Sequence, residues 1–329
     1  MLGWLAGLIE RGYVVAGFIL FSGAFTAIPV KLSEGALIPG ETNPWNTAAM
    51  MGLLGGAVFL CHIHRREVGR LMLRGGLVNA FVLLALASAL WSIDPQVTLR
   101  RCVALAATIL FAYFAVARFE LDRLIRLLAL AMLINALGSI IVSLALPRVG
   151  VATPSHPGAW NGVFGHKNTL GWMMILMSIC FQWLLVNDRE RRGQAVLGLI
   201  ICLGVTSMTQ SVTSFVSIGL AALLRLGLSV GRVPAQLRLW LLYGLGMLVV
   251  GGSLGMVTFW TEIMTALNRD PTLSGRVPLW SELIGLIFQN PFLGAGYNAF
   301  WLEWNPDVQA LWQIIGWQPP DAHNGILDL

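Results

Sequence analysis

Apolar runs close to the thickness of a bilayer recur along the whole of this chain, and that recurrence leaves few folds open to it. A helix that crosses a membrane needs about 20 mostly apolar residues, and within lipid only helices and closed barrels satisfy every backbone polar group. The runs are Tyr13–Val30, Thr47–His62, Leu77–Trp91, Val103–Ala117, Leu124–Leu146, Thr169–Val186, Ala195–Met208, Val212–Leu226 and Leu239–Trp260. A mean hydropathy of +0.74, with only 11% charged residues where soluble domains carry roughly a quarter, excludes an ordinary soluble protein. The expected fold is therefore all-α, a polytopic transmembrane helix bundle with about nine to ten spanning helices. No composition shift marks a boundary, so residues 1–329 read as one integral membrane domain. The last residues, Gly325–Leu329, read as the start of a further helix, so the chain is expected to continue beyond them.

The first run follows Arg11 and ends without a small-x-small cleavage site, which marks it as a retained anchor and not a signal peptide. Cys61, Cys102, Cys180 and Cys202 show neither paired nor CxxC spacing, so they read as small core residues.

Basic residues set the orientation. Arg65, Arg66, Arg70 and Arg74 follow the second run, Arg118 and Arg123 the fourth, Arg189, Arg191 and Arg192 the sixth, and Arg232 and Arg238 the eighth. These even-numbered loops share one side, expected to be cytoplasmic together with the N-terminus. The net charge of +5 is thus a topology signal, and no nucleic-acid partner follows from it. The polar interval 261–324 falls on the opposite side as a large extracytoplasmic loop. Lys31, Arg100, Arg101, Arg148, Lys167, Arg269 and Arg276 break the trend by lying on that outer side. Anion binding is one reason to keep cations there, although Lys31 and Arg269 read as ordinary solvated charges.

Arg276 precedes Pro278 and an apolar spacing at Trp280, Leu283, Ile284 and Ile287, which predicts an amphipathic surface helix. The start of such a helix, beside an Arg, suits a phosphate group. Trp301, Trp304, Trp312 and Trp317 read as an interfacial aromatic belt, with sugar stacking as the sharper alternative. His323, in the tetrapeptide Asp321–Asn324, either sits idle beside an N-capping Asn or serves as base for a hydroxyl. A second cluster, Gly162–Gly171, reads GVFGHKNTLG and places His166 and Lys167 at a helix start with Asn168 as the expected cap. None of the nine runs holds an acidic or basic residue at mid-span. That argues against a proton-coupled transporter and leaves the charged candidates at one water–lipid boundary.

These residues together resemble the O-antigen ligase/polysaccharide polymerase (Wzy/WaaL-like) superfamily. The matching elements are WSIDP at Trp91–Pro95 with Arg100 and Arg101, GVFGHKNTLG at Gly162–Gly171, and the Ser/Thr-rich break at Ser207–Ser214. Further on come LSGR and NPFLGAGYNAF within Leu273–Phe300, and AHN at Ala322–Asn324. The HKN form is most similar to the exopolysaccharide polymerases of the succinoglycan type.

The resemblance implies a membrane glycosyltransferase at the outer face of the bacterial inner membrane. It would take glycan from undecaprenyl diphosphate to a sugar hydroxyl, on another lipid-linked repeat (polymerase) or on lipid A-core (ligase). It implies Arg276 as the holder of the diphosphate and His323 as the group that orients or deprotonates the acceptor. His166, Lys167, Asn168, Arg100, Arg101, Arg148 and Ser211 are the remaining candidates for binding diphosphate or glycan. No DxD-type acidic pair lies on the outer side, so metal-independent chemistry without a cofactor is expected. Inner-membrane lipids and other polysaccharide-export proteins are the implied neighbours. Asn161 stands where many relatives carry an Arg, so a second cation has to come from Lys167, Arg148 or Arg101. A flippase for lipid-linked sugars and a non-catalytic export scaffold are the rival readings.

Overall fold

The computed structural model describes residues 2–32, 44–152, 157–229, 275–289 and 291–328, with isolated positions between 234 and 258. It is all-α. Among the described residues no strand forms, and one isolated antiparallel bridge joins Val151 to Trp160. The helices are α1 (Leu2–Phe21), α2 (Ile28–Leu32), α3 (Pro44–Ile63), α4 (Arg65–Arg74), α5 (Gly76–Ala87), α6 (Pro95–Arg118), α7 (Leu121–Ala145), α8 (Pro147–Gly150), α9 (Lys167–Asn187), α10 (Arg192–Thr209), α11 (Val212–Ser229), α12 (Arg276–Gln289) and α13 (Pro306–Ile315).

Among the described residues six helical stretches are long and apolar enough to cross a membrane, and a bent pair, α4 with α5, makes a seventh if the two count as one span. Helix α11 is apolar but shorter. The ninth expected run, Leu239–Trp260, falls on a stretch of which only isolated positions are described.

Several boundaries differ from the sequence reading. Helix α1 begins at Leu2 and ends at Phe21, so the span lies earlier than Tyr13–Val30. It therefore carries Glu10 within its length, which corrects the expectation of spans free of ionisable groups. The carboxylate is buried, and it is compensated: Arg118 Nε donates at 2.6 Å and His64 Nε2 lies at 2.8 Å. The Arg65–Arg74 segment, expected as a basic loop, is helical with its charges on one side, and it meets α5 at an 84° bend.

The chain divides into two compact units, 1–79 with 104–225, and 80–103 with 226–329. In the first, α9 packs against α10 and α7, and α1 against α7 and α3. Met132, Met174, Met177, Leu170 and Phe164 are fully buried there. The four cysteines are unpaired, and Cys202 Sγ caps the Met174 carbonyl.

In the second unit a small core gathers Leu279, Leu283, Val308, Leu311, Trp301 and Ala322. Helix α12 thus turns Leu279 and Leu283 inward, whereas Ile284, Ile287 and Phe288 are exposed. It begins at Arg276, which puts Pro278 at its third position, within the first turn as expected. Helix α13 had no counterpart in the sequence reading. Asn305 caps it by accepting from the Asp307 amide, Pro306 opens it, and Gly316 (φ +77°) ends it.

Candidate active site

Two stretches nearly 200 residues apart in sequence build one face of the second unit. Asp94 accepts from the amides of Gln96 and Val97 and so caps α6, with Pro95 as its first residue. The preceding Trp91–Ile93 docks on the Gly294–Asn298 turn. Trp91 Nε1 donates to the Leu293 carbonyl at 2.7 Å, and the Ile93 amide donates to the Ala295 carbonyl at 3.1 Å. Gly296 (φ +90°) allows this contact, because a Cβ there would come within 2.5 Å of the Ser92 Cβ.

The Tyr297 amide donates to Ser88 Oγ at 2.8 Å. Arg101 donates through one guanidinium nitrogen to the carbonyl of Asn298, a residue in the left-handed region at φ +54°. The WSIDP and GAGYN motifs are therefore two halves of one docking. Arg101 spends at least part of its donor fork on holding that docking, while Arg100 is exposed. Burial pushes the Tyr297 phenol above its ordinary range, and Arg101 pulls weakly the other way.

In the same unit the 275–328 segment gathers His323, Asp321, Trp317 and Arg276. The Asp321 side chain closes a local turn by accepting the His323 amide at 2.7 Å. The same carboxylate oxygen lies 2.5 Å from His323 Nδ1. That contact fixes the tautomer: Nδ1 carries the proton toward the carboxylate and Nε2 keeps its lone pair. His323 sits at φ +51°, a left-handed conformation that costs a non-glycine residue about 1–2 kcal/mol. The side-chain hydrogen bond from His323 holds the Asp321 carboxyl below its usual range. Partial burial opposes this, and the nearby Arg276 charge adds to it.

Trp317 stacks on the imidazole with ring centroids 5.9 Å apart and an interplanar angle of 23°. Its Nε1 lies 2.9 Å from where a Cβ on Gly275 would stand, and Gly275 is at φ +82°. The indole is thus wedged between the start of α12, where Arg276 sits, and His323. Trp280 Nε1 completes the clamp by donating to the Ala322 carbonyl at 2.8 Å. The tryptophans do not form one belt: Trp301 is core and donates to Asp328, whereas Trp304 is exposed.

The GVFGHKN segment belongs to the first unit. His166, not Asn168, caps α9: its Nδ1 accepts from the Asn168 amide at 3.2 Å. His166 is exposed, whereas Lys167 is 5% exposed inside the first turn. Ser211 is buried, accepts from Ser214 Oγ at 2.9 Å, and lies behind Gly171 where α9 passes close. Arg148 lies exposed on α8. Arg269 is outside the described residues.

Asp321 is the contributor that sequence reasoning did not single out, and Trp317 was read as belt or sugar platform and not as a partner of His323. The Asp two residues before His323, a spacing that suits an Asx turn, was the available signal. Among the described residues no three His, Cys, Asp or Glu side chains gather as a metal site would need.

Residues 197–329 match the family described as O-Antigen ligase, so every group around His323 lies within the matched part. The chain is also 25% identical over 248 residues to the "Exopolysaccharide production protein ExoQ" of Rhizobium meliloti (strain 1021), covering 72% of this chain and 55% of that protein. This chain thus spans about half the length of that curated relative. No solved structure matches it. The chain is thus similar to the O-antigen ligase family over residues 197–329 and to ExoQ over 72% of its length, and its described residues include helices apolar enough to cross a membrane.

Proposed function

We propose that this chain is the core of a metal-independent membrane glycosyltransferase that polymerises undecaprenyl-diphosphate-linked oligosaccharide repeats. The observation that carries the reading is the Asp321–His323 pair, with Nε2 left available, on the segment that also bears Arg276.

The acceptor hydroxyl attacks the anomeric carbon of the donor glycan. A new glycosidic C–O bond forms as the anomeric C–O bond to the diphosphate breaks. The hydroxyl proton passes to His323 Nε2, and the charge that gathers on the leaving diphosphate is met by Arg276. Asp321 holds the imidazole in the tautomer this requires and steadies the imidazolium that results. Arg101 in the same unit is the further candidate for adding positive charge. The site faces the outer side of the bacterial inner membrane, with the N-terminus in the cytoplasm, because the cation-rich loops fall on the other side.

A ligase that moves glycan to lipid A-core is the second reading, favoured by the description of the matching family. The test is complementation by the full-length protein. In a host without its own polymerase it restores long surface glycan, and Arg276→Ala and His323→Ala abolish it at matched expression. Failure there, with transfer of preformed chains in a ligase-deleted host, moves the function to the ligase. Long glycan from all three proteins overturns the site.

A further inference from the structure

The 275–328 segment also opens a groove of about 630 Å³ with Trp317 in its lining, which the transfer chemistry above does not use. That volume lies within the roughly 300–1,000 Å³ of ordinary small-ligand sites. Its walls arise from one helix and the return of the chain behind it. Gln309, Trp312 and Gln313 stand three and four residues apart on α13 and so share one face. Gly316 in the left-handed region stops the helix, its amide donating to the Trp312 carbonyl at 3.0 Å. The chain then doubles back so that Trp317 and Gln318 complete the lining. Trp312 Nε1, donating to the Pro319 carbonyl at 3.3 Å, ties the return to the helix. Gln309 Nε2 donates to the Glu303 carbonyl at 2.7 Å and fixes the far end.

We propose that this groove is a saccharide subsite, built for a neutral stretch of glycan on the acceptor side of the reaction. Its chemistry selects that ligand class. Two indoles, each partly exposed, offer flat apolar faces to the C–H faces of pyranose rings. Exposed Gln313 and Gln318 offer both donors and acceptors to neighbouring hydroxyls, with the Glu303 carboxylate as an acceptor. Among the described residues no Lys or Arg lines the groove, and Glu303 is the one ionisable side chain that does, so a phosphate or diphosphate is repelled. The location fits the acceptor: the Trp317 ring that lines the groove is also the ring stacked on His323. A glycan seated there lies one indole away from His323. The reading rests on the transferase proposal for its placement on the acceptor side, but not for the binding itself.

The experiment is a binding measurement that requires no turnover. Full-length protein in lipid nanodiscs is applied to a printed array of neutral and acidic bacterial oligosaccharides, with inorganic pyrophosphate as a competitor. At least one neutral oligosaccharide binds the wild type, is not displaced by pyrophosphate, and binds Arg276→Ala equally well. Gln313→Ala and Trp312→Ala each weaken it by roughly tenfold, the scale expected for removing a stacking or paired polar contact. Gln313 is exposed, so its variant reads the groove even if Trp312→Ala disturbs the core. Absence of binding to any array member, or binding unchanged in both groove variants, overturns the subsite. If binding fails while polymer formation still depends on His323 and Arg276, the subsite falls and the transferase reading stands. If binding holds while polymer forms without them, the reverse is true.

Discussion

Asp321→Asn isolates the charge that the structure places behind His323. The substitution keeps an oxygen able to accept the His323 amide and Nδ1–H, so the turn can persist, but it removes the carboxylate. A hydrogen bond to a charged group contributes about 1.5–3 kcal/mol and a neutral one about 0.5–1.5, so some 1 kcal/mol of support for the imidazolium is lost. Asp321 is 50% exposed, and solvent screening reduces that figure. The expected result is a transfer rate lower by up to about fivefold, that lost support being read at the transition state. The assay is the initial rate of lipid-linked repeat consumption by full-length protein in nanodiscs, with His323→Ala beside it. An unchanged rate in a stably folded Asp321→Asn protein refutes the assignment of His323 as the base positioned by Asp321.

Other perturbations test the parts around it. Gly275→Ala places a methyl against Trp317 Nε1 at a φ of +82° and pushes the indole from His323, so activity falls sharply while Arg276 is retained, as rate assays will show. Gly296→Ala forces its Cβ to within 2.8 Å of the Ser92 Cα and undocks WSIDP from the GAGYN turn. Limited proteolysis should then cut near residues 291–300. Glu10→Gln leaves Arg118 and His64 without their anion and lowers stability in detergent by about 1–3 kcal/mol, read by thermal unfolding. Because folding holds the Asp321 carboxyl below its usual range, its stabilising contribution is complete above about pH 4 and is lost as pH falls through the lower folded value. Local hydrogen exchange at residues 321–323 across that range checks the sign.

The membrane character was legible from the apolar runs, because hydropathy over about 20 residues needs no knowledge of tertiary contacts. What compensation between helices decides was not legible. Glu10 fell outside the first apolar run, which was read from Tyr13, and its partners come from 54 and 108 residues away. Segment Arg65–Arg74 read as a loop because its charge outweighs a hydropathy average, although its one-sided pattern is helical. At the site, His323 and Arg276 were visible as motif residues, whereas the pairing of WSIDP with GAGYN required the fold. Helix α13 was missed despite a readable Asn–Pro start and Gly stop, since the tryptophans drew the segment toward an interfacial belt. The swap of Asn168 for His166 as the cap of α9 is a two-residue boundary difference of the kind that local propensity resolves poorly.

The central claim is that His323 and Arg276 perform glycosyl transfer from a lipid diphosphate, and reconstitution tests it most directly. Purified full-length protein in nanodiscs is given an undecaprenyl-diphosphate-linked oligosaccharide, and both the extended glycan and the released undecaprenyl diphosphate are measured by mass spectrometry. The account predicts that the wild type makes both in matched amounts, with each transfer releasing one diphosphate, and that His323→Ala and Arg276→Ala make neither. Extended glycan from the variants at the wild-type rate would contradict it.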